Sequence, residues 1–173
     1  MRPANVTLEP VTEPDFPVLR QLATAIWRQH YATIIPLAQI DYMLGGRLGD
    51  DALRAQVGAA DTWLEMLRSD GTPVGYCSAA LTADGGDGTP AIKLGQLYVL
   101  DTHRGMGLGR LMLGHVERRA RDLGRGVLWL QVNKRNSGAI GFYEAAGFVR
   151  VREAVFDIGA GFVMDDYVMA KRL

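Results

Sequence analysis

The sequence predicts an α/β (α+β) fold in which helices pack against one mixed sheet. Residues 127–132 are apolar except for Gln131 and follow an amphipathic segment, as expected for a parallel strand reached through a crossover helix. Strand-like runs on either side of residues 69–72 predict a hairpin, and two more flank a glycine turn near the end of the chain. Strands joined by such short turns pair antiparallel, so both pairs predict antiparallel strands.

Length and composition indicate one domain spanning residues 1–173, because a chain of 173 residues is too short for two ordinary domains. The 19 basic and 19 acidic residues cancel, which disfavours binding to nucleic acid or to an anionic membrane. The single cysteine excludes an internal disulfide, and the three histidines lack zinc-type spacing, so no metal site is predicted. Without a signal-like or membrane-spanning apolar run, we expect a cytoplasmic protein.

The spacing of apolar residues predicts the helices and strands of the first part of the chain, in order. Residues 6–10 suggest a first strand, and an acidic turn at 13–15 opens a helix with apolar residues at helical spacing from Phe16 to Ile26. A short helix is expected at 40–44, before Gly45 and Gly46. The hairpin joins 63–67 to 73–81, and residues 92–100 form the next strand.

In the second half of the chain, helices and strands are predicted from the same kind of pattern. A helix begins near Leu108 and carries His115 on its apolar face, where a packed histidine is expected. After the strand at 127–132, a helix over about 137–146 ends at Gly147, which suits a left-handed C-cap. Residues 148–156 and 166–170 predict the closing antiparallel pair.

A glycine-rich turn, Arg-Gly-Met-Gly-Leu-Gly at 104–109, separates a strand from a helix. Glycines allow a tight bend, and the first helical amides and the helix dipole favour negative charge, so this turn can hold a diphosphate. The dinucleotide fingerprint needs Gly or Ala where Arg110 stands, and a P-loop needs Gly-Lys-Ser/Thr where residues 110–112 are Arg-Leu-Met. The remaining alternative is a tight connection without a ligand.

Two motifs together identify a family. The turn reads R-x-x-G-x-G through Arg104, Gly107 and Gly109, and residues 136–148 read N-x-x-x-A-I-x-F-Y-E-x-x-G-F. In this order and spacing they resemble the GCN5-related N-acetyltransferase (GNAT) superfamily, from about residue 6 to the C-terminus. The resemblance implies a central mixed, mostly antiparallel, twisted sheet of about six to seven strands with helices on both faces. A splayed parallel strand pair would form the acyl-CoA slot.

The resemblance also implies acetyl-CoA (coenzyme A) as the cofactor, held without a metal ion. The backbone of Leu97 and Val99 would pair with the pantetheine arm, and the amides from Arg104 to Arg110 would hold the diphosphate. Asn136 has an alternative role as a turn or helix-capping amide. The full set of cofactor-binding residues implied by the resemblance is Leu97, Tyr98, Val99, Arg104, Gly105, Met106, Gly107, Leu108, Gly109, Arg110, Asn133, Asn136, Ala139, Phe142 and Tyr143.

The reaction needs a proton donor and a proton acceptor. A thiolate leaving group, whose thiol has a pKa near ~8.5, can take a proton from a phenol with a pKa near ~10, because the phenol is still protonated at neutral pH. Tyr143 matches the family's general acid, the alternative being a core aromatic beside Phe142. An amine with a pKa near ~10.4 costs roughly 4 to 5 kcal/mol to deprotonate at pH 7. Many relatives carry a carboxylate before the turn, but residues 94–97 contain none, so Glu65 is the first candidate base; a solvated strand face explains Glu65 equally well.

The acceptor is the least specified part of the prediction. Trp27 and Tyr31 are either the aromatic edge of the core or the wall of an acceptor pocket. The layout is similar to bacterial acetyltransferases of small polyamines, and Asp157, Asp165 and Asp166 either attract a cationic acceptor or are surface turn residues. We expect direct acetyl transfer in a ternary complex to a primary amine of a small molecule. A protein or peptide acceptor and a non-catalytic acyl-CoA-binding module remain alternatives, and the family suggests a homodimer.

Overall fold

The computed structural model describes residues 5–82, 84–85 and 87–173, and these residues form seven strands and five α-helices. Two short 3-10 helices, Glu13–Asp15 and Asp101–His103, precede α1 and the glycine turn. In chain order the elements are β1 Val6–Pro10, α1 Phe16–His30, α2 Leu37–Leu48, α3 Asp50–Gly58, β2 Thr62–Ser69, β3 Thr72–Thr82, β4 Ala91–Val99, α4 Leu108–Asp122, β5 Val127–Asn133, α5 Ser137–Ala145, β6 Val149–Gly159 and β7 Phe162–Arg172.

The strands form one mixed sheet in the order β1-β2-β3-β4-β5-β7-β6. β4 and β5 run parallel and are connected through α4, whereas the pairs β1–β2, β2–β3, β5–β7 and β6–β7 are antiparallel. A helical crossover is the connection that a parallel pair requires, and hairpins are sufficient for antiparallel pairs. The predicted mixed and mostly antiparallel sheet is confirmed.

One compact unit comprises the described residues up to Ala80 together with Gln96–Val116. On its sheet, Met66 faces its register partner Tyr76, whose hydroxyl accepts a hydrogen bond from Trp27 of α1. The neighbouring Glu65 contacts His115 of α4. Because successive strand residues point to opposite faces, α1 and α4 cover the two faces of this part of the sheet. The prediction of helices on both faces is therefore confirmed.

The second compact unit comprises Leu81–Gly95 and Glu117–Leu173. Its central strand β5 is almost entirely apolar, with Leu128 and Leu130 buried, because a strand with neighbours on both sides has little contact with water. Lys171 of β7 donates to Glu117 of α4 at 2.7 Å, which ties the last strand to the crossover helix. The β6–β7 hairpin ends the chain as predicted.

Two features of the first unit differ from the sequence-based prediction. The predicted short helix before Gly45 and Gly46 is in fact α2, which continues through both glycines to Leu48. Met43, Leu44 and Leu48 are buried, and this packing outweighs the cost of two glycines in a helix. Helix α3 was not predicted. The predicted hairpin is confirmed, with positive φ at both turn residues, Asp70 and Gly71.

Candidate acetyl-transfer site

The glycine-rich turn is open to a ligand. Gly105 has φ 77° and Gly107 has φ 82°, and a Cβ added at either position would meet no atom within 4 Å. The bond from Leu111 N–H to Gly107 O, 3.0 Å long, is the first step of the helical ladder of α4. The amides immediately before Leu111 lie outside that ladder and can donate to an anion at the positive end of the helix dipole.

Two arginines lie at the turn, and one of them is paired with a carboxylate. Arg104 is exposed, its Nε lies 2.8 Å from Asp101 Oδ1, and its Nη2 lies 3.1 Å from His30 Nδ1. An arginine donates and has no acceptor, so that nitrogen of His30 accepts the bond. Arg110, in the first turn of α4, is also exposed. An open turn with free amides and two arginines fits a diphosphate such as that of coenzyme A.

The strand before the turn presents its last residues partly exposed. The parallel ladder joins residues 91–93 of β4 to residues 127–129 of β5, and Leu97 and Val99 lie beyond it. Both are half-buried. Alternation along the strand places Tyr98 on the opposite face from Leu97 and Val99.

Tyr98 belongs to a group of four rings that we call the aromatic cluster: Trp27, Tyr31, Tyr76 and Tyr98. Trp27 Nε1–H donates to the Tyr76 hydroxyl at 2.8 Å, and the hydroxyls of Tyr31 and Tyr98 are 2.9 Å apart. The ring of Trp27 lies 5.1 Å from that of Tyr31 and 5.5 Å from that of Tyr98. Such spacings are favourable for tilted aromatic pairs. The cluster connects α1 to β3 and β4.

The two predicted acceptor-binding residues are both members of this cluster. Trp27 is 1% exposed and Tyr31 is 8% exposed. Trp27 is therefore a core residue, as one of the two interpretations held. Burial raises the pKa of Tyr76 well above its usual value, the neighbouring Tyr98 raises it further, and the Trp27 N–H and the Arg47 guanidinium act in the opposite direction.

A neutral polar pair lies on the same face of the sheet as the aromatic cluster. Ser78 Oγ donates to Gln96 Oε1 at 3.3 Å, and both side chains are buried. Residue 96 shares its face with residue 98 because side chains repeat every second residue along a strand. From the sequence, residues 94–97 were distinguished only by the lack of an acid. Nothing in their pattern indicated that Gln96 would be paired.

Glu65 lies on the other face of the sheet from the aromatic cluster. Its carboxylate is 2.9 Å from His115 Nε2, and the Glu65 residue is 4% exposed. The histidine side chain is 30% exposed, so the pair lies at the boundary of the core. The structure therefore brings Glu65 together with His115, and it does not bring Glu65 together with Trp27 or Tyr31. A helix-face pattern indicated a packed His115 but could not reveal its partner.

In the second unit, two buried asparagines organise the turn between β5 and α5. Asn133 Oδ1 accepts from Arg135 N–H at 2.9 Å, and Asn136 Oδ1 accepts from Ala139 N–H at 3.3 Å. Asn136 is the N-cap of α5, so the capping role considered from the sequence is confirmed. These bonds fix the start of the helix that carries Ala139, Phe142 and Tyr143.

Tyr143 is held near the end of α5. Its carbonyl oxygen accepts from Phe148 N–H, and Gly147 N–H donates to the carbonyl of Glu144. With φ 96° at Gly147 this is a Schellman motif, and the predicted left-handed cap is confirmed. The Tyr143 ring lies 5.2 Å from Phe142 and 5.5 Å from Phe148, and Tyr143 is 8% exposed. Packing thus restricts the orientation of the phenol.

In residues 5–82, 84–85 and 87–173, no helix combines the length and apolar character needed to cross a bilayer. Within the same ranges, no group of three or more His, Cys, Asp or Glu side chains is placed to hold a metal ion.

Known proteins share this fold. A solved structure of PaiA N-acetyltransferase from Thermoplasma acidophilum in complex with coenzyme A has a TM-score of 0.80 and 20% identity, covering 98% of this chain and 99% of that one. Arabidopsis thaliana Naa50 in complex with the bisubstrate analogue CoA-Ac-MVNAL gives a TM-score of 0.67 and 21% identity, covering 97% and 99%. Both likenesses show the fold.

Sequence relationships identify the family. Streptothricin acetyltransferase of Streptomyces lavendulae is 29% identical over 113 residues, which cover 65% of this chain and 57% of that protein. The model of the acetyltransferase (GNAT) family matches residues 20–148, most of the chain and both motifs. The chain belongs to the acetyltransferase (GNAT) family.

Proposed function

We propose that this protein transfers the acetyl group of acetyl-CoA to the primary amine of a small molecule. Family membership makes it an acetyl-CoA-dependent acetyltransferase. The observation that carries the proposal is the turn at residues 104–109, where glycines with positive φ leave space beside free amides and exposed arginines. The amine would attack the thioester directly while both substrates are bound.

The Arg104 N–H, which belonged to the predicted set of amides, donates to Asp101 O at 3.2 Å. We therefore assign the diphosphate to the backbone amides of Gly105 to Arg110, with the guanidinium groups of Arg104 and Arg110 adding positive charge. When bound, the cofactor supplies an activated acetyl group as a thioester. The backbone of Leu97 and Val99 would pair with its pantetheine arm. Tyr98 and the turn residues Met106 and Leu108 belong to the same proposed set, as do Asn133, Asn136, Ala139 and Phe142.

Tyr143 is the proposed general acid. A phenol with a pKa near ~10 stays protonated at neutral pH and can give its proton to a leaving sulfur whose thiol has a pKa near ~8.5. The support is its place in the family motif and the Schellman cap that fixes the backbone next to it. A tyrosine without such support would lose orientation at the moment of proton transfer.

The proton acceptor is assigned to Glu65, directly or through water, as the candidate that the sequence offers. His115 donates to the Glu65 carboxylate and would hold its orientation. The face on which Glu65 lies makes a purely structural role the competing interpretation. The two roles predict different results for the substitution Glu65→Gln.

The acceptor is proposed to be small. The name of the Streptomyces lavendulae relative states that it acetylates streptothricin, whereas the Arabidopsis thaliana protein carries a peptide-containing analogue. A polyamine is less supported by the three aspartates considered for it. Asp157 accepts from Gly159 N–H near the end of β6, Asp165 pairs with Lys134 at 2.7 Å, and Asp166 is buried.

Self-association stays a separate proposal. Strand β6 is an edge of the sheet and exposes Val149, Val151 and Val155. Exposed apolar residues on an edge strand are typical of a surface that a second copy covers.

Calorimetry with coenzyme A, followed by a turnover assay, tests the proposal. We expect saturable binding of coenzyme A, and mass spectrometry of mixed small amines with acetyl-CoA should show a mass increase of one acetyl group. Tyr143→Phe should bind the cofactor normally and lose about 10²- to 10⁴-fold in kcat, the usual contribution of a general acid. Tyr167→Phe on β7 is the matched control, because it removes a phenol outside the proposed site.

Three results would contradict the proposal at different points. Absence of coenzyme A binding by folded protein would reject the cofactor site. Binding without any modified acceptor would favour the non-catalytic acyl-CoA-binding module. Unchanged turnover of Tyr143→Phe would remove Tyr143 from the mechanism while leaving the transferase intact.

A further inference from the structure

The aromatic cluster is built from elements that contain no acidic residue. The sequences of α1, β3 and β4 include no Asp or Glu, whereas α1 alone contributes Arg20, Arg28 and His30. Beside the cluster on the sheet, the polar pair Ser78 and Gln96 is neutral. Tyr98 is the half-buried member of the cluster, and a cationic acceptor placed against it would meet no counter-charge from these three elements.

Arg47 of α2 lies beside the aromatic cluster. Its guanidinium lies 5.7 Å from the centre of the Trp27 ring, and the residue is exposed. The guanidinium acts to lower the pKa of the buried Tyr76 hydroxyl, against the larger effects of burial and of Tyr98, which raise it. The contact with Trp27 therefore places a positive charge beside the cluster.

Neighbouring arginines are neutralised in a way that Arg47 is not. Arg20 pairs with Asp50 at 2.6 Å, Arg28 with Asp41 at 2.9 Å and Arg54 with Glu13 at 2.7 Å. Across the part of the chain that the structure describes, Arg47 makes no ion pair with a carboxylate. An exposed guanidinium without a protein carboxylate is available to bind one from a ligand.

We propose that the acceptor carries a carboxylate in addition to its amine, and that Arg47 binds this carboxylate at the aromatic cluster. The inference rests on the proposed function, because it assigns a substrate class to the same enzyme. Amino acids and other amines bearing a carboxylate are then preferred to polycations such as spermidine. A cation that stacks on an aromatic ring is well suited to this role, since the ring restricts the guanidinium without competing for its hydrogen bonds.

Matched acceptor pairs test the preference in the wild-type protein. Lysine and cadaverine, ornithine and putrescine, and phenylalanine and phenethylamine each differ by one carboxylate. Spermidine and a C-terminally amidated peptide without acidic side chains complete the set. Release of free coenzyme A thiol and the mass of the acceptor are measured with acetyl-CoA present. We expect kcat/KM to be at least about tenfold higher for the carboxylated member of each pair, as one charge-assisted contact allows.

Variants of Arg47 test whether the preference for carboxylated acceptors depends on this residue. Arg47→Gln should raise KM for carboxylated acceptors about five- to tenfold and leave their decarboxylated partners unchanged, whereas Arg47→Lys should retain part of the preference because it keeps the charge. Arg54→Gln, in α3, removes an arginine that is already paired and should change neither. Thermal melts of each variant show whether it folds. If Arg47→Gln fails to fold, the wild-type acceptor pairs still decide the question.

Failure of this inference is distinct from failure of the proposed function. Equal or better turnover of cadaverine, putrescine or spermidine, with Arg47→Gln unaffected, overturns the carboxylate preference and leaves the transferase activity standing. Turnover of the amidated peptide alone also overturns it. No acetylated product from any acceptor would instead count against the proposed function.

Discussion

Glu65 shows how a single side chain can satisfy two interpretations. A buried carboxylate on a strand is a reasonable proton acceptor, and a buried carboxylate bonded to a histidine is also a reasonable structural contact. The contact with His115 connects β2 to α4 whichever role is correct. Kinetics and stability together separate the two.

Glu65→Gln should lower the free energy of unfolding by about 1 kcal/mol, because a neutral amide makes a weaker bond to His115 than a carboxylate does. Chemical denaturation measures this loss, and Glu9→Gln on the exposed side of β1 is the control, expected to stay within about 0.5 kcal/mol. A fall in kcat of about 10²-fold or more would support Glu65 as the proton acceptor. A kcat close to that of wild type would remove Glu65 from the mechanism.

Helix α5 depends on both of its ends. Asn136 caps its first turn, and the left-handed Gly147 allows the two Schellman bonds at its last turn. The bond from Phe148 N–H ends on the carbonyl of Tyr143 itself. The geometry of the proposed general acid is therefore a property of the helix terminus as well as of the side chain.

Gly147→Ala should destabilise the protein by about 1–2 kcal/mol, since an L-residue with a Cβ is strained at φ 96°. Equilibrium unfolding measures the change, and kcat should fall more than the affinity for coenzyme A, because Tyr143 is the group displaced. Gly141→Ala in the same helix is the control: a Cβ there meets nothing within 4 Å, so a neutral or slightly stabilising effect is expected. Equal stability of the two variants would contradict a structural role for the cap.

Net charge and the pH dependence of stability are properties of the whole molecule. Nineteen basic and nineteen acidic residues give a formal net charge of zero, so attraction of a charged ligand depends on local groups, and Arg47, Arg104 and Arg110 are the ones proposed here. The pH dependence of stability is also a property of folding as a whole, because a buried ionisable group whose pKa differs between the folded and unfolded chain makes the free energy of unfolding depend on pH. Tyr76 is such a group.

The free energy of unfolding should fall as pH rises above about 10. Burial raises the pKa of Tyr76 in the folded state, so the unfolded chain releases this proton first and is favoured at alkaline pH. The contribution is fully present below the unfolded pKa and is lost at up to about 1.4 kcal/mol per pH unit above it. Urea melts from pH 8 to about 11 measure the slope. Tyr76→Phe should reduce that slope; an unchanged slope would contradict the assignment.

Local patterns in the chain were enough to predict the mixed sheet, the hairpin at Asp70 and Gly71, the glycine turn at 104–109 and the cap at Gly147. Each depends on spacing between near neighbours, on strand alternation or on a residue type that a tight bend requires. Each of these relations involves residues that lie within a few positions of one another in the sequence. The passage of α2 through Gly45 and Gly46 could not be predicted in this way, because it depends on what Leu48 packs against.

Contacts between distant segments required the folded chain. Glu65 and His115 are separated by 50 residues, and Tyr31 and Tyr98 by 67. Which face of the sheet each of them occupies depends on strand register, and Arg47 meets Trp27 only because α2 folds back along α1. Long-range packing is not encoded in any short motif, and it decides which charges surround the proposed acceptor site.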